Sequence, residues 1–118
     1  MRAVGVVGSW ARDQPRMDSD LDIVGLTDEQ SEYSETNGWI ADALGEPAVL
    51  TRSRQWRVVT ERRVGVSSGF EVEFNFAPLT WAATDPCDAG TAGVVRNGLR
   101  VVFDPGHVLQ DLADAVGR

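Results

Sequence analysis

An alternation of apolar and polar residues between Gly69 and Pro78 constrains the fold more than any other feature of the chain. The apolar positions are Phe70, Val72, Phe74 and Phe76, and the polar positions between them are Glu71, Glu73 and Asn75. Because side chains alternate between the two faces of a strand, this segment predicts a strand with one buried face and one polar face. The turn at residues 67–69 and the apolar run before it predict a hairpin.

A second strand is predicted at the N-terminus, where Val4–Val7 forms a short apolar run. Gly8 and Ser9 interrupt this run, at a point where a helix can begin. The backbone N–H groups at a helix start favour phosphate, and a glycine there permits close approach while a serine hydroxyl donates a hydrogen bond. We therefore expect Gly8, Ser9 and, one turn further on, Arg12 to bind phosphate.

In the segment Asp20–Leu26, acidic and apolar residues alternate at first and the later residues are continuously apolar. This pattern predicts a strand whose first residues are exposed to solvent and whose later residues are buried in the core. Asp20 and Asp22 share one face of that strand. Carboxylates in this arrangement can hold Mg²⁺ against a triphosphate, since Mg²⁺ prefers oxygen ligands and takes one or two carboxylates together with substrate phosphates. A third carboxylate is expected from a neighbouring strand, and either Glu71 or Glu73 can supply it.

These residues together resemble the nucleotidyltransferase superfamily, which has the DNA polymerase beta-like fold, and are most similar to its small MNT-type minimal members. The shared pattern is GSx10DxD, and it is present here as Gly8-Ser9, ten residues, and Asp20-Leu21-Asp22. By the same resemblance, Glu73 is the preferred third acid, because it stands at the centre of an apolar-acid-apolar triplet. The resemblance covers roughly residues 3 to 78.

The resemblance implies a metal-dependent transfer of a nucleoside monophosphate, expected to be AMP from ATP, to an acceptor hydroxyl. Two Mg²⁺ ions are implied, and the third acid helps to activate the attacking hydroxyl. The implied catalytic and metal-binding residues are Asp20, Asp22 and Glu73, and the implied nucleotide-binding residues are Gly8, Ser9 and Arg12. Some MNT-type proteins act as antitoxins that adenylylate and bind a HEPN toxin, so a partner protein of that kind is a further expectation.

An alternative prediction is a noncatalytic module that keeps this fold and uses it to bind a partner or to sense a nucleotide. Asp13 favours this alternative because it places an acid near the proposed phosphates. A calcium loop is a weaker alternative for the acids from Asp18 onward, although Glu29 stands at the twelfth position. The sixth position is Ile23, where such a loop requires glycine.

The predicted fold class is α+β, with a small mixed β-sheet whose helices pack mainly on one side, in a single domain spanning residues 1–118. An acid-rich start at Asp28 predicts a helix that restarts near Gly38, and further helices are predicted near Thr91–Val95 and at Val108–Val116. Short strands are predicted at Ala48–Leu50 and at Leu99–Phe103. The chain is short for enclosing both a nucleotide and an acceptor, so self-association or a partner subunit is expected to complete the site.

The net charge of −7 argues against a general nucleic-acid-binding surface. The chain has no lysine, so contacts with phosphate must come from arginine, backbone and metal. Five arginines cluster between residues 52 and 63, and we interpret them as a solvated hairpin face that can alternatively dock an acidic partner. The single cysteine and the absence of a long apolar stretch predict a cytoplasmic protein without a membrane span.

Overall fold

The computed structural model describes residues 1–11 and 20–117. The strands are β1 Ala3–Val7, β2 Leu21–Leu26, β3 Ala48–Trp56, β4 Val59–Val66, β5 Glu71–Ala77 and β6 Leu99–Phe103. The helices are α1 Gln30–Ser34, α2 Gly38–Leu44, α3 Ala89–Arg96 and α4 Val108–Val116. Within the described residues no helix is long and apolar enough to cross a membrane.

The strands form one sheet in the order β3-β4-β5-β2-β1-β6. The β2–β5 pair is parallel, and the other neighbouring strands are antiparallel. β2 and β5 therefore lie in the middle of the sheet, where the two acidic segments of the sequence become neighbours.

Two hydrophobic cores cover opposite faces of this sheet. One core joins β1 and β2 to α4, and it includes Ala3, Val24, Leu26, Leu109 and Leu112. The other joins β4 and β5 to α2, and it includes Ile40, Val64, Val72, Phe74 and Phe76. Each core uses alternate residues of the central strands, so both faces carry apolar side chains that require cover.

The predicted α+β class is confirmed by this mixed sheet and by the four α-helices that the described residues form. The helices, however, divide between the two faces instead of lying mainly on one side. The physical reason is in β2, where Ile23 packs against the α2 core while Val24 and Leu26 belong to the α4 core. A strand that is apolar on both faces needs helices on both sides of the sheet.

Most predicted elements are found close to their expected positions. The strand Leu99–Phe103 and the helix Val108–Val116 have the predicted bounds, and Gly38 begins α2 as a restarted helix. At Gly8–Trp10 the expected helix start is one 3-10 turn. The strand predicted at Ala48–Leu50 extends much further, because it pairs along its length with β4 in a long hairpin.

Candidate functional site

The two predicted acidic segments are aligned side by side in the sheet. In the parallel β2–β5 pair, Asp22 is the direct neighbour of Glu73. Parallel neighbours in register point to the same face, so both carboxylates lie on the face that also carries the β1–β2 core. Asp20 lies two residues before Asp22 and shares that face. The fold thus gathers the three predicted acids from two strands.

Arg63 of β4 contacts two of these acids, Asp20 and Glu73, and also Glu71. It stands opposite Glu73 in the antiparallel β4–β5 pair. Its Nη1 donates to Asp20 Oδ2 at 2.7 Å and to Glu71 Oε2 at 2.8 Å, and its Nη2 donates to Glu73 Oε2 at 2.7 Å. The pKa of Arg63 is raised above its ordinary value, chiefly by the hydrogen bond to Glu71 and then by that to Glu73. One guanidinium therefore bridges three carboxylates.

Asp22 is half-buried beside two other carboxylates, those of Glu73 and Asp20. The pKa of its carboxyl is raised from 3.8 to about 6, first by burial and then by repulsion from Glu73 and Asp20, against a smaller opposing attraction from Arg63. Burial and nearby like charges both disfavour an ionised carboxyl. Such a shift in a cleft is typical of functional acids, although structural clusters produce it as well.

A cavity of about 780 Å³ opens beside Asp22 and Glu73. This volume is within the range of small-molecule sites. The sheet contributes Val7, Gly8, Asp22, Val24, Val59, Glu73 and Asn75. The opposite wall consists of Trp81 and the α3 region, namely Gly90, Gly93, Val94, Arg96 and Asn97. The cavity therefore has acids on one wall and a basic side chain with apolar surface on the other.

Gly8 lines the cavity and lies close to the Asp22 carboxylate. Its φ is +80°, a backbone conformation that favours glycine, and a Cβ placed there would lie 3.1 Å from Asp22 Oδ2. A larger residue at this position would be strained and would press on the Asp22 carboxylate. The turn at Gly8 thus allows the backbone to approach the acid closely.

The other predicted site residues differ in whether they line the cavity. Ser9 lies half-buried in the same turn as Gly8 and is not among the residues that line the cavity. Arg12 lies outside the described residues. Glu73 lines the cavity and its side chain is 17% exposed, whereas that of Glu71 is 37% exposed and does not line the cavity. The geometry thus favours Glu73 over Glu71 as the acid that faces a ligand.

The arginine cluster is only partly the solvated hairpin face that we expected. Arg52 and Arg54 are exposed, and both donate to the buried carboxylate of Glu61. Arg62 is buried on the opposite face and donates to the Ser34 carbonyl and to Asn37. Because adjacent residues of a strand point to opposite faces, Arg62 and Arg63 of β4 enter different sides of the sheet.

The carboxylates beside the cavity have the chemistry that a divalent cation requires. Asp20, Asp22 and Glu73 are hard oxygen donors, and Glu71 adds a fourth carboxylate nearby. Within the described part of the chain, no three acidic, histidine or cysteine side chains are already arranged as a metal site. The residues fit a divalent cation in kind and charge, while three of the four contact Arg63.

The sequence patterns did not identify the far wall of the cavity or the role of Arg63. Asn75 was recognisable only as a polar position on β5, and Arg63 only as one of several neighbouring arginines. Trp81 and α3 carry no motif, and their position beside the cavity depends on how α3 and α4 cover the sheet. A signal that could have indicated Arg63 is its place two residues after Glu61 and directly before the apolar Val64–Val66 end of its strand.

Replacing Asp22 with asparagine is expected to stabilise the protein at about pH 8. The folded protein raises the pKa of this carboxyl from 3.8 to about 6, so it binds the proton more tightly than the unfolded chain does. The free energy of unfolding therefore falls as the pH rises through that interval. Because Asp22 is half-buried and partly screened by solvent, the expected gain is about 1 kcal/mol at pH 8 and close to zero near pH 3.5.

Thermal unfolding of wild type and Asp22→Asn at both pH values measures this difference. The matched control is Asp42→Asn, the same change at an exposed position of α2. We expect the control to alter stability by less than about 0.5 kcal/mol. An Asp22→Asn variant that is no more stable than wild type at the higher pH contradicts the prediction.

The assignment of a function depends on this arrangement of side chains. It combines two neighbouring carboxylates, a third on the same face, a bridging arginine and a cavity of ligand size. Comparison with known protein families found no family that matches the chain, and comparison with curated proteins found no match either.

Proposed function

We propose that this chain is a metal-dependent nucleotidyltransferase of the MNT type, acting in the cytoplasm. It would transfer AMP from ATP to an acceptor hydroxyl and release pyrophosphate. The observation that carries the proposal is the pairing of Asp22 and Glu73 in register, on the wall of a cavity of about 780 Å³. The GSx10DxD spacing supports it, because the turn at Gly8 lies against the Asp22 carboxylate.

Asp20, Asp22 and Glu73 would hold Mg²⁺ in this proposal, with two ions expected by resemblance. When bound, Mg²⁺ neutralises charge on the phosphates and lowers the pKa of an oxygen that it binds. The excess negative charge around Asp22 supports a cation at this position, since burial and its acidic neighbours already raise its pKa.

The protein's own residues would orient the two reactants. The turn at Gly8 and Ser9, with Arg12, would bind the phosphates that leave as pyrophosphate. The oxygen of the acceptor hydroxyl would attack the α-phosphorus, and the bond from that phosphorus to the leaving pyrophosphate would break. Glu73 would accept the proton that the hydroxyl loses. The wall formed by Trp81 and α3 would exclude water from the nucleotide.

The acceptor and the partner belong to the same proposal. An MNT-type antitoxin modifies and binds a HEPN toxin, and this chain would have such a partner or would associate with itself to complete the cleft. The open part of the sheet face near β3 and β4 is consistent with a partner, because Arg52 and Arg54 are exposed there. Co-expression with a neighbouring HEPN protein, followed by mass spectrometry for an added AMP, examines this point.

Calorimetric titration of ATP and GTP, with and without Mg²⁺, tests the nucleotide site. We expect binding to wild type that requires Mg²⁺ and that is lost in the Asp20→Asn/Asp22→Asn double variant. The matched control is Arg54→Gln, which removes a charge from the exposed part of the same face and should leave binding unchanged. Binding that is independent of Mg²⁺, or that survives in the double variant, contradicts the proposal.

A noncatalytic module remains the second candidate, and the contacts of Arg63 favour it. This arginine already neutralises part of the acidic cluster by bridging Asp20, Glu71 and Glu73. This candidate would be supported if the protein binds a partner but shows no Mg²⁺-dependent binding of nucleotide.

A further inference from the structure

We infer that Arg63 is a positioning residue that occupies the place of a divalent cation among the carboxylates of the site and competes with that cation for them. The inference rests on the proposed function, and it concerns how the same site is controlled. Its starting point is the group of three contacts from one guanidinium to Asp20, Glu71 and Glu73, at 2.7 to 2.8 Å.

The sheet fixes Arg63 in this position. β4 lies next to β5, and Arg63 is directly opposite Glu73 in their antiparallel register. β5 in turn lies next to β2, so the acids of both segments are within reach of one side chain. A guanidinium is planar and has five N–H donors, which lets it bridge several carboxylates at once. The strand order therefore determines these contacts.

Arg63 and the divalent cation use the same carboxylate groups in this inference. Arg63 contacts Asp20 Oδ2 and Glu73 Oε2, which belong to two of the three residues proposed to hold Mg²⁺. A guanidinium and a divalent cation repel each other, so binding both of them to the same carboxylates costs free energy. Divalent cation binding to these carboxylates therefore weakens or displaces the contacts of Arg63.

Asp22 is the member of the cluster to which the divalent cation would bind first. It has no ion pair with an arginine among the described residues, whereas Asp20, Glu71 and Glu73 each have at least one. Full metal binding would need the carboxylates of Asp20 and Glu73 as well. Arg63 thereby keeps the affinity for metal low in the free protein.

A titration of Mn²⁺, followed by the electron paramagnetic resonance signal of the free ion, tests this competition without nucleotide. We compare wild type with Arg63→Gln, which keeps a polar side chain and removes the charge. We expect Arg63→Gln to bind Mn²⁺ at least about tenfold more tightly than wild type. Equal affinity, or a gain below about twofold, overturns the inference.

The matched control is Arg52→Gln, the same change on the neighbouring strand. Arg52 bonds mainly to Glu61 at 2.6 Å and lies 3.9 Å from Glu73, so it contributes positive charge near the site without bridging the cluster. We expect its affinity for Mn²⁺ to stay within about threefold of wild type. A gain as large as that of Arg63→Gln would mean that only the overall charge matters, and it would overturn the inference.

Arg63→Lys provides a second test in case the glutamine variant does not fold. Lysine keeps the charge as a compact ammonium, which cannot reproduce the planar bridge. We expect its Mn²⁺ affinity to lie between those of wild type and Arg63→Gln, and an affinity equal to wild type overturns the inference. Nucleotide titrations are made separately, so tighter Mn²⁺ binding without any nucleotide binding would reject the proposed function and leave the competition established.

Discussion

Replacing Glu73 with glutamine should lower the rate of the proposed AMP transfer by about 100-fold or more. Glu73 is the direct neighbour of Asp22 and lies on the cavity wall. In the proposed reaction it accepts the proton of the attacking hydroxyl, and glutamine cannot do so. The measurement is the single-turnover transfer of labelled AMP to the acceptor identified by mass spectrometry.

Glu71→Gln is the matched control for this prediction. It makes the same chemical change on the same face of β5 and also removes a partner of Arg63. Because Glu71 does not line the cavity, we expect its variant to keep transfer within about fivefold of wild type. Equal losses in both variants would contradict the assignment of Glu73 and would indicate that the total charge of the cluster decides the rate.

The Glu73 variant has a second signature that does not depend on catalysis. After burial, repulsion from Glu73 is the largest cause of the raised pKa of Asp22. Removing that charge should lower the Asp22 pKa from its value of about 6, and carboxyl carbon NMR across a pH titration measures this change. An unchanged Asp22 pKa would mean that the two carboxylates do not interact as their register indicates.

Replacing Leu109 with alanine should destabilise the protein by about 3 kcal/mol. Leu109 on α4 is 0% exposed and packs in the core that joins α4 to β1 and β2. A Cβ on Gly5 would lie 3.4 Å from Leu109 Cδ1, which indicates how closely the helix approaches β1. Alanine would lose the buried apolar contacts and leave a cavity that a closely packed core fills only in part.

Urea denaturation followed by circular dichroism measures this loss. Val102→Ala is the control, because Val102 is 63% exposed on the edge strand β6 and its truncation should cost less than about 0.5 kcal/mol. A Leu109 variant with the stability of the Val102 variant would contradict the described packing of α4. The comparison also tests how much this core stabilises the site, because β2, the strand that carries Asp22, packs in the same core.

The sequence predicted strands well where one face is apolar. The residues Phe70–Phe76 alternate strictly, and β5 has the expected buried and polar faces. The long strand β3 was missed beyond Leu50, because Thr51–Trp56 carries polar and charged residues on both faces. Its pairing with β4 stabilises that segment as an extended edge strand, and such pairing has no local sequence signal.

The distribution of the helices was also beyond the local pattern. Hydrophobic periodicity identified α2 and α4, and it says which stripe of each helix is buried. It does not say which side of the sheet that stripe meets. The two apolar faces of β2 determine this, because each face needs its own cover.

The acids of the candidate site were identified from sequence because their types and local alternation carry chemical meaning. Asp20 and Asp22 share a strand face by periodicity alone, and Glu73 lies on the polar side of its own strand. Their proximity follows from strand order, which brings β2 and β5 together in register. The identity of the third acid was open between Glu71 and Glu73, and the position of the cavity separates them.

The sequence by itself determined which residues carry the charges and which segments with an apolar face form strands, since both depend on side-chain chemistry and short periodicities. Only the tertiary structure decided that Arg63 bridges the acids and that Trp81 and α3 close the cavity over them. These contacts join residues far apart in the chain, and they depend on strand order and on which helix covers each face. Local sequence patterns do not encode those relations, because many strand orders bury the same apolar faces equally well.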